Sequence, residues 1–311
     1  MNKLRIAVTG GSGQIGRWVI RLLLERGHEV VNVDQRQANE PLTRFFYADL
    51  TQRDQVQRIL EQVDAVCHLG EIPGLRSGAP HHVYTHNCQA GAAVLQTAAD
   101  LKLKRAIYTS SCQAYGCFGD YQIAPERLPF DETLPLKPQN AYGLSKASNE
   151  TYARQVARLQ GLSVAIFRFP CVWSWFGEDE PPGHWEWLEK NTGAAPECAT
   201  YVHVADAARA YVLAVESERT GCEAYHFSAK EVCSGAPLAA RLKAHHPDYP
   251  TLPDDWPAFK SPMLTDKARE HFGWEPKWNL LDFYRRQFGK DPDFPVVKED
   301  REGGRKRRLM P

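Results

Sequence analysis

The sequence predicts an α/β protein: a doubly wound, mostly parallel sheet followed by a smaller C-terminal domain. Three observations carry that reading. Short apolar runs alternate with longer amphipathic stretches through the first two-thirds of the chain. This βαβα order yields a parallel sheet with helices on both faces. A glycine-rich turn stands directly between the first apolar run and the first amphipathic one. After Pro170 the texture changes to segments rich in Trp, Gly, Pro and acidic residues. The 311 residues leave room for about two units at roughly 150 residues per domain.

The elements follow in order. Leu4 to Thr9 reads as a buried strand, and Gln14 to Gly27 as a helix with Ile15, Val19, Leu22 and Leu23 at helical spacing. Glu29 to Asp34 and Arg44 to Ala48 are the second and third strands. Gln52 to Gln62 is a helix, and Asp64 to Leu69 the fourth strand. Tyr84 to Asp100 is a long helix, Lys104 to Ser110 the fifth strand, Tyr142 to Gln160 a helix and Ser163 to Phe169 the sixth strand. Val204 to Glu216 reads as helix and Ala224 to Ser228 as strand. Residues 1–170, rejoined by 201–230, are expected to form the sheet domain. Residues 171–200 and 231–290 are expected to form the smaller domain, over the carboxyl ends of the strands where open α/β folds bind ligands. Residues 298–311 read as a flexible basic tail.

Composition excludes several classes. Lys+Arg and Asp+Glu are both 38, so the formal net charge is zero. That argues against a dedicated nucleic-acid binder and against a disordered polyelectrolyte. A nucleic-acid or partner contact through Arg305-Lys306-Arg307-Arg308 is the minority reading of the tail. The eight cysteines form no C-x-x-C pair, and the histidines at 81, 82, 86, 245 and 246 show no ligand spacing, so no metal is expected. No run reaches the ~18 apolar residues of a membrane span, and the first apolar run is too short for a signal peptide. A cytoplasmic protein with reduced thiols is expected.

Thr9 to Gly16 carries the chemistry of the first turn. Gly11-x-Gly13-x-x-Gly16 has the spacing of a dinucleotide fingerprint, in the required strand–turn–helix context. The turn and helix start, with Gly10, Gly13, Gln14, Ile15 and Gly16, are expected to cradle a pyrophosphate on free amides and the positive helix end. The sheet is thus expected to be Rossmann-type. Asp34 ends the second strand about 20 residues on, where a carboxylate binds adenosine ribose hydroxyls and repels a 2′-phosphate. That favours NAD over NADP, although Arg36 softens the preference. Asp49 and Leu50, after the third strand, either reach the adenine or cap a loop.

Tyr142-Gly143-Leu144-Ser145-Lys146 sets a phenol and an ammonium at i and i+4, on one helix face. The fifth strand ends in Thr109-Ser110-Ser111, with Tyr115 beyond. A lone Tyr-x-x-x-Lys is commonly a surface pair. Beside a dinucleotide turn and a Ser-bearing strand end, the set points to proton handling coupled to hydride transfer. A cation about 6 Å from a phenol contributes ~3 kcal/mol at an effective dielectric of about 20, or roughly two pK units. Lys146 is therefore expected to bring Tyr142 toward working pH.

With these residues the sequence resembles the extended short-chain dehydrogenase/reductase, or NAD-dependent epimerase/dehydratase, family from residue 3 to about residue 285. Further carriers are His68-Leu69-Gly70, Arg168, Tyr201 to Asp206, and Thr265-Asp266-Lys267-Ala268 with Phe272-Gly273-Trp274. The resemblance implies Tyr142 as acid/base, Lys146 as a ligand of the nicotinamide ribose, Ser111 as the group orienting the substrate oxygen, and cofactor contacts at Leu69, Gly70 and Phe169. It implies a homodimer formed through helices that include the one bearing Tyr142. Glu71, Cys112, Gln113, Cys171 and Trp173 border the expected substrate space. Glu71, where a small residue is more usual, either touches substrate or faces solvent. Aromatics at Trp173, Trp175, Phe176, Trp185 and Trp187 either stack on a sugar or build a small core.

Departures narrow the chemistry. Cys112 and Gln113 stand where the family's dehydratases have Asp-Glu, which disfavours dehydration. Ala199-Thr200 stands where many nucleotide-sugar members have an Arg-Asp pair whose Arg binds substrate phosphate. Asn87 is one residue off its usual offset from Gly91. The expected activity is hydride transfer at a secondary hydroxyl of a sugar, most of all in a sugar or nucleotide-sugar epimerase. The alternatives are a net NAD-dependent dehydrogenase of a smaller sugar or sugar acid, and a non-catalytic dinucleotide sensor.

Overall fold

The computed structural model describes residues 3–74, 78–118, 122–174 and 199–296. Its strands are β1 (Arg5–Thr9), β2 (Glu29–Asp34), β3 (Arg44–Tyr47), β4 (Ala65–His68), β5 (Arg105–Ser111), β6 (Val164–Phe169), β7 (Cys171–Trp173), β8 (Tyr201–His203) and β9 (Cys222–His226). Seven of them form one sheet in the order β3-β2-β1-β4-β5-β6-β9, with every neighbouring pair parallel. β7 and β8 form a separate parallel pair. Thr9 is in register with Val33 on one side and His68 on the other. The strand order reverses about β1, so the carboxyl ends of β1 and β4 open the crevice where such sheets bind ligands.

Successive β1 residues serve opposite faces. Ile6 and Val8 pack with Val19, Ile20 and Leu23 of α1 (Gln14–Glu25) and with Ala207, Tyr211 and Val215 of α5 (Val204–Glu216). Ala7 packs on the other side among α2 (Arg53–Leu60), α3 (Pro80–Asp100) and α4 (Ala141–Gln160), which bury Val56, Leu60, Val94, Ala98, Ala153 and Val156 there. α3 begins one turn before the expected Tyr84. Pro80 suits a first helical position because its missing amide has no helical partner there. His81 and His82 are exposed, so no apolar periodicity announces that turn. β9 begins at Cys222 rather than Ala224, because its pairing with β6 starts at Val164↔Cys222.

Of the later helices, α7 (Asp266–Phe272) buries Ala268 in the sheet core beside α1 and α5, whereas α6 (Leu238–His245) and α8 (Leu280–Phe288) build a second core. This second core joins Trp173, Tyr201, Leu238, Leu280, Leu281 and Tyr284. It also takes Tyr115, Phe118, Leu128, Phe130 and Leu134 from the long connection between β5 and α4, which sequence alone leaves with the sheet domain. The segment after α7 is anchored on α5. Trp274 is fully buried and donates to the Asp206 carbonyl at 3.0 Å, while Asp206 Oδ2 accepts from the Lys277 and Trp278 amides.

No described helix is long and apolar enough to cross a membrane. The basic tail and Trp175, Phe176, Trp185 and Trp187 lie outside the described residues.

Candidate active site

The turn after β1 is shaped by close backbone approach. Gly10 has φ +67°, and a Cβ there would lie 2.8 Å from Gly70 Cα. A Cβ on Gly16 would lie 2.3 Å from the Gly10 carbonyl oxygen. α1 starts at Gly13 with no side-chain cap, so no side chain claims the amides of its first turn, where Gln14, Ile15 and Gly16 stand. Asp34 lies beside this cradle. Its Oδ2 accepts from the Ser12 amide at 3.1 Å and its Oδ1 from the Gln35 amide at 2.7 Å. An amide-lined turn with an oriented carboxylate fits a dinucleotide whose ribose hydroxyls donate to Asp34.

Neighbouring residues divide. Leu69 and Gly70 donate their amides to Thr9 Oγ1 at 3.2 and 3.1 Å, which locks the turns after β1 and β4 together. Leu50 is buried, and its Cδ1 would sit 2.4 Å from a Cβ on Gly70. Asp49 Oδ1 accepts from both the amide and the hydroxyl of Thr51, a loop cap that lowers its carboxyl pKa. The Phe169 ring is committed to the core. It packs 5.9 Å from Tyr211 and 5.4 Å from Phe227, so it does not present its side chain to the crevice.

Local folding brings Ser111 and Tyr142 together. After β5 the chain makes one 3₁₀ turn, Cys112–Tyr115, and Ser111 Oγ accepts from the Gln113 amide at 3.2 Å. Asn140 caps α4, accepting from the Gly143 amide at 2.8 Å, and reaches Gln113 Oε1 with its own amide at 3.3 Å. Gly143 admits the Gln113 carbonyl, which a Cβ would meet at 2.4 Å. The first turn of α4 therefore rests on the 3₁₀ turn, which sets Tyr142 beside Ser111.

Lys146 is buried one turn along. Its Nζ lies 5.4 Å from the Tyr142 ring centre and donates to the Thr109 carbonyl at 2.7 Å and to Glu71 Oε2 at 2.5 Å. The Glu71 side chain is 3% exposed, so it does not face solvent. Asn149 donates to Glu71 Oε1 at 3.0 Å. Burial pushes the Glu71 carboxyl up, but Lys146 and His68 more than offset this and hold it below its usual range. Burial opposes the Lys146 charge, but Glu71 outweighs it and raises the lysine pKa. Tyr142 also departs from expectation. Loss of water raises the phenol pKa, Lys146 and Ser111 pull it down, and Glu71 pushes it back up, leaving it above its ordinary value.

Of the remaining expected substrate residues, Cys112 and Trp173 are buried, and Gln113 and Cys171 are partly buried. Cys112 is fully buried in the second core. Gln113 is engaged by Asn140. Trp173 stacks on Tyr201 at 5.0 Å and donates to Cys171 Sγ at 3.1 Å, which favours the core-building reading for this tryptophan. Asn87 is fully buried and ties the segment after β4 to α3, accepting from the Ile72 amide at 2.8 Å and donating to the Ile72 carbonyl. Sequence reasoning missed Asn149 and His68 as partners of Glu71. Asn149 carries one signal, its i+3 spacing from Lys146. Among the described residues no group of three or more His, Cys, Asp or Glu is placed to hold a metal ion.

A family model described as the NAD dependent epimerase/dehydratase family matches residues 6–228. The chain belongs to that family. An NAD dependent epimerase/dehydratase is an enzyme whose cofactor is NAD, in keeping with the uncapped start of α1 and the carboxylate of Asp34. The UDP-glucose 4-epimerase of Streptococcus mutans is 26% identical over 319 residues, covering 90% of this chain and 94% of that one. The Bordetella bronchiseptica enzyme WbmH, solved in complex with NAD+, is 26% identical with a TM-score of 0.65, covering 93% of this chain and all of that one. A mutated uronate dehydrogenase shares the fold at 20% identity and a TM-score of 0.65, covering 93% and 87%.

Proposed function

We propose that the protein is an NAD-dependent epimerase acting at a secondary hydroxyl of a sugar, most of all a nucleotide sugar, with Tyr142 as acid/base. The observation that carries this reading is the convergence of Ser111, Tyr142 and Lys146 at the carboxyl end of β5, next to the turn after β4. The near full-length likeness to a UDP-glucose 4-epimerase supports the epimerase reading. NAD supplies a hydride acceptor that can return the hydride. Ser111 donates to the substrate oxygen and orients it. Tyr142 Oη takes the hydroxyl proton as the carbinol is oxidised and gives it back on reduction. Lys146 holds the nicotinamide ribose with an N–H not engaged by Glu71 or Thr109.

A second reading, net oxidation of a smaller sugar or sugar acid, is favoured by Ala199-Thr200, which offers no cation for a substrate phosphate. Acid-released cofactor identified by mass spectrometry, followed by a panel of nucleotide sugars, free sugars and sugar acids, separates the two. Retained NAD with an inverted product and no net NADH supports the epimerase. NADH accumulating on one substrate supports the dehydrogenase. Tyr142→Phe is expected to lower turnover about 10²–10⁴-fold with cofactor binding intact. An unchanged rate overturns Tyr142 as acid/base in both readings, whereas a bound cofactor that never changes redox state with any carbinol substrate supports the dinucleotide sensor. The proposed assembly is a homodimer in which α4 takes part, where Leu144 and Leu159 are exposed. Light scattering in solution tests it.

A further inference from the structure

Among the described residues Glu71 is the carboxylate that touches Lys146, and its surroundings are built to keep it ionised. Three donor groups converge on its two oxygens: Lys146 Nζ at 2.5 Å and Tyr108 Oη at 3.5 Å on Oε2, and Asn149 Nδ2 at 3.0 Å on Oε1. His68 Nε2 lies 3.3 Å from Oε1 without a hydrogen bond to it. Thr9 Oγ1, which accepts from the Leu69 and Gly70 amides, holds the other ring nitrogen, His68 Nδ1, at 2.8 Å. Lys146 and Asn149 are i and i+3 on α4 and grip the same carboxylate.

We propose that Glu71 is a positioning residue that clamps Lys146 and cancels its charge, and so sets the pH at which Tyr142 gives up its proton. This rests on the reading of Tyr142 as acid/base. Seen from Tyr142, a bare ammonium acts as a charge, whereas an ammonium 2.5 Å from a carboxylate acts as a dipole whose influence falls off faster with distance. The groups facing the pair come from every packed element: His68 from β4, Cys88 from α3, Tyr108 from β5, and Lys146, Asn149 and Glu150 from α4. Tyr142 is faced in addition by Ser111, Cys112 and Tyr211. Of the two carboxylates that act on Lys146, Glu71 is the one in contact with it, and Glu150 is committed to Arg168 and Arg154. A site with a small residue at this position keeps the lysine charge whole. This one gives it up in exchange for a fixed lysine and a phenol that stays protonated to higher pH.

The test is an ultraviolet titration of the phenolate on cofactor-free protein. Each sample is measured against the matching Tyr142→Phe variant, so that the difference reports Tyr142 alone. In Glu71→Gln, which keeps the shape and removes the charge, Tyr142 is expected to ionise about one pH unit or more below the wild type. Glu71→Ala installs a small residue and is expected to shift the same way, which keeps the test open if the glutamine variant fails to fold. Glu71→Asp keeps the charge and is expected to restore most of the wild-type titration. Coincident titrations in wild type, Glu71→Gln and Glu71→Ala, or a shift to higher pH, overturn the proposal. Because no substrate enters the measurement, its failure is distinct from failure of the catalytic reading, which the turnover of Tyr142→Phe decides.

Discussion

At the scale of the residue, Asp34 is the side chain proposed to select NAD over NADP. Its carboxylate is fixed by the amides of Ser12, Gln35 and Arg36, which come from both loops that border the adenosine end of the cradle. A ribose hydroxyl donating to it makes a hydrogen bond to a charged group, worth about 1.5–3 kcal/mol. Asp34→Ser is therefore expected to weaken NAD binding roughly 10- to 100-fold and to relieve repulsion of a 2′-phosphate. Calorimetric titration with NAD and NADP checks this, and an unchanged ratio of the two affinities contradicts it. At the same scale Glu71 shows why charge arithmetic on a motif misleads. The Tyr142–Lys146 spacing is visible in sequence, but the anion that offsets the lysine lies 75 residues away.

At the scale of elements, the first turn of α4 is the hinge between fold and chemistry. Asn140 caps it, and Gly143 lets it sit on the 3₁₀ turn that carries Ser111. Gly143→Ala would drive a methyl to 2.4 Å from the Gln113 carbonyl, so the helix end must lift. Overpacking of this kind costs about 1–3 kcal/mol. A shift near 1 Å between reacting groups costs about 10²-fold in rate. A urea melt and a turnover assay on this variant are expected to show the rate falling far more than the stability. Equal, small effects would mean that the helix end does not set the Ser111–Tyr142 geometry.

At the scale of the molecule, Arg168 joins the sheet to the second core. From β6 it donates to both oxygens of Glu150 on α4, to the Tyr115 hydroxyl at 2.6 Å and to the Glu132 carbonyl at 2.9 Å. Tyr115 in turn bonds His226 of β9 at 2.6 Å. Arg168→Met removes the buried one of the two arginines on the Glu150 carboxylate, leaving the partly exposed Arg154 at 3.2 Å, and is expected to cost up to about 3–5 kcal/mol at neutral pH. Burial pushes the Glu150 carboxyl up, but Arg168 and Ser110 outweigh it and hold the carboxyl below its usual range. A carboxyl lowered in the folded state contributes stability that is whole above its unfolded-state pKa of about 4.3, and that is lost as pH falls through the lower folded-state value. Wild-type urea melts are expected to show that acid loss. Arg168→Met is expected to lack most of it, and a parallel pH slope in the two proteins would refute this.

Much of this protein is written locally in its sequence. The alternation of Ile6, Ala7 and Val8, the close-packed glycines from Gly10 to Gly16 and the shared helix face of Tyr142 and Lys146 depend on periods and spacings of a few residues, and this local geometry reappears in the fold. Asp34 was legible for the same reason, as the residue that ends a strand next to the glycine turn. What only the tertiary structure decided is which distant groups share a buried volume. Glu71 meets Lys146, Phe169 turns into the core, Trp173 stacks on Tyr201, and the connection after β5 joins the second core. Backbone propensity and hydrophobic period act between near neighbours along the chain. Burial and Coulomb interaction act between neighbours in space, and long-range packing alone assigns those neighbours.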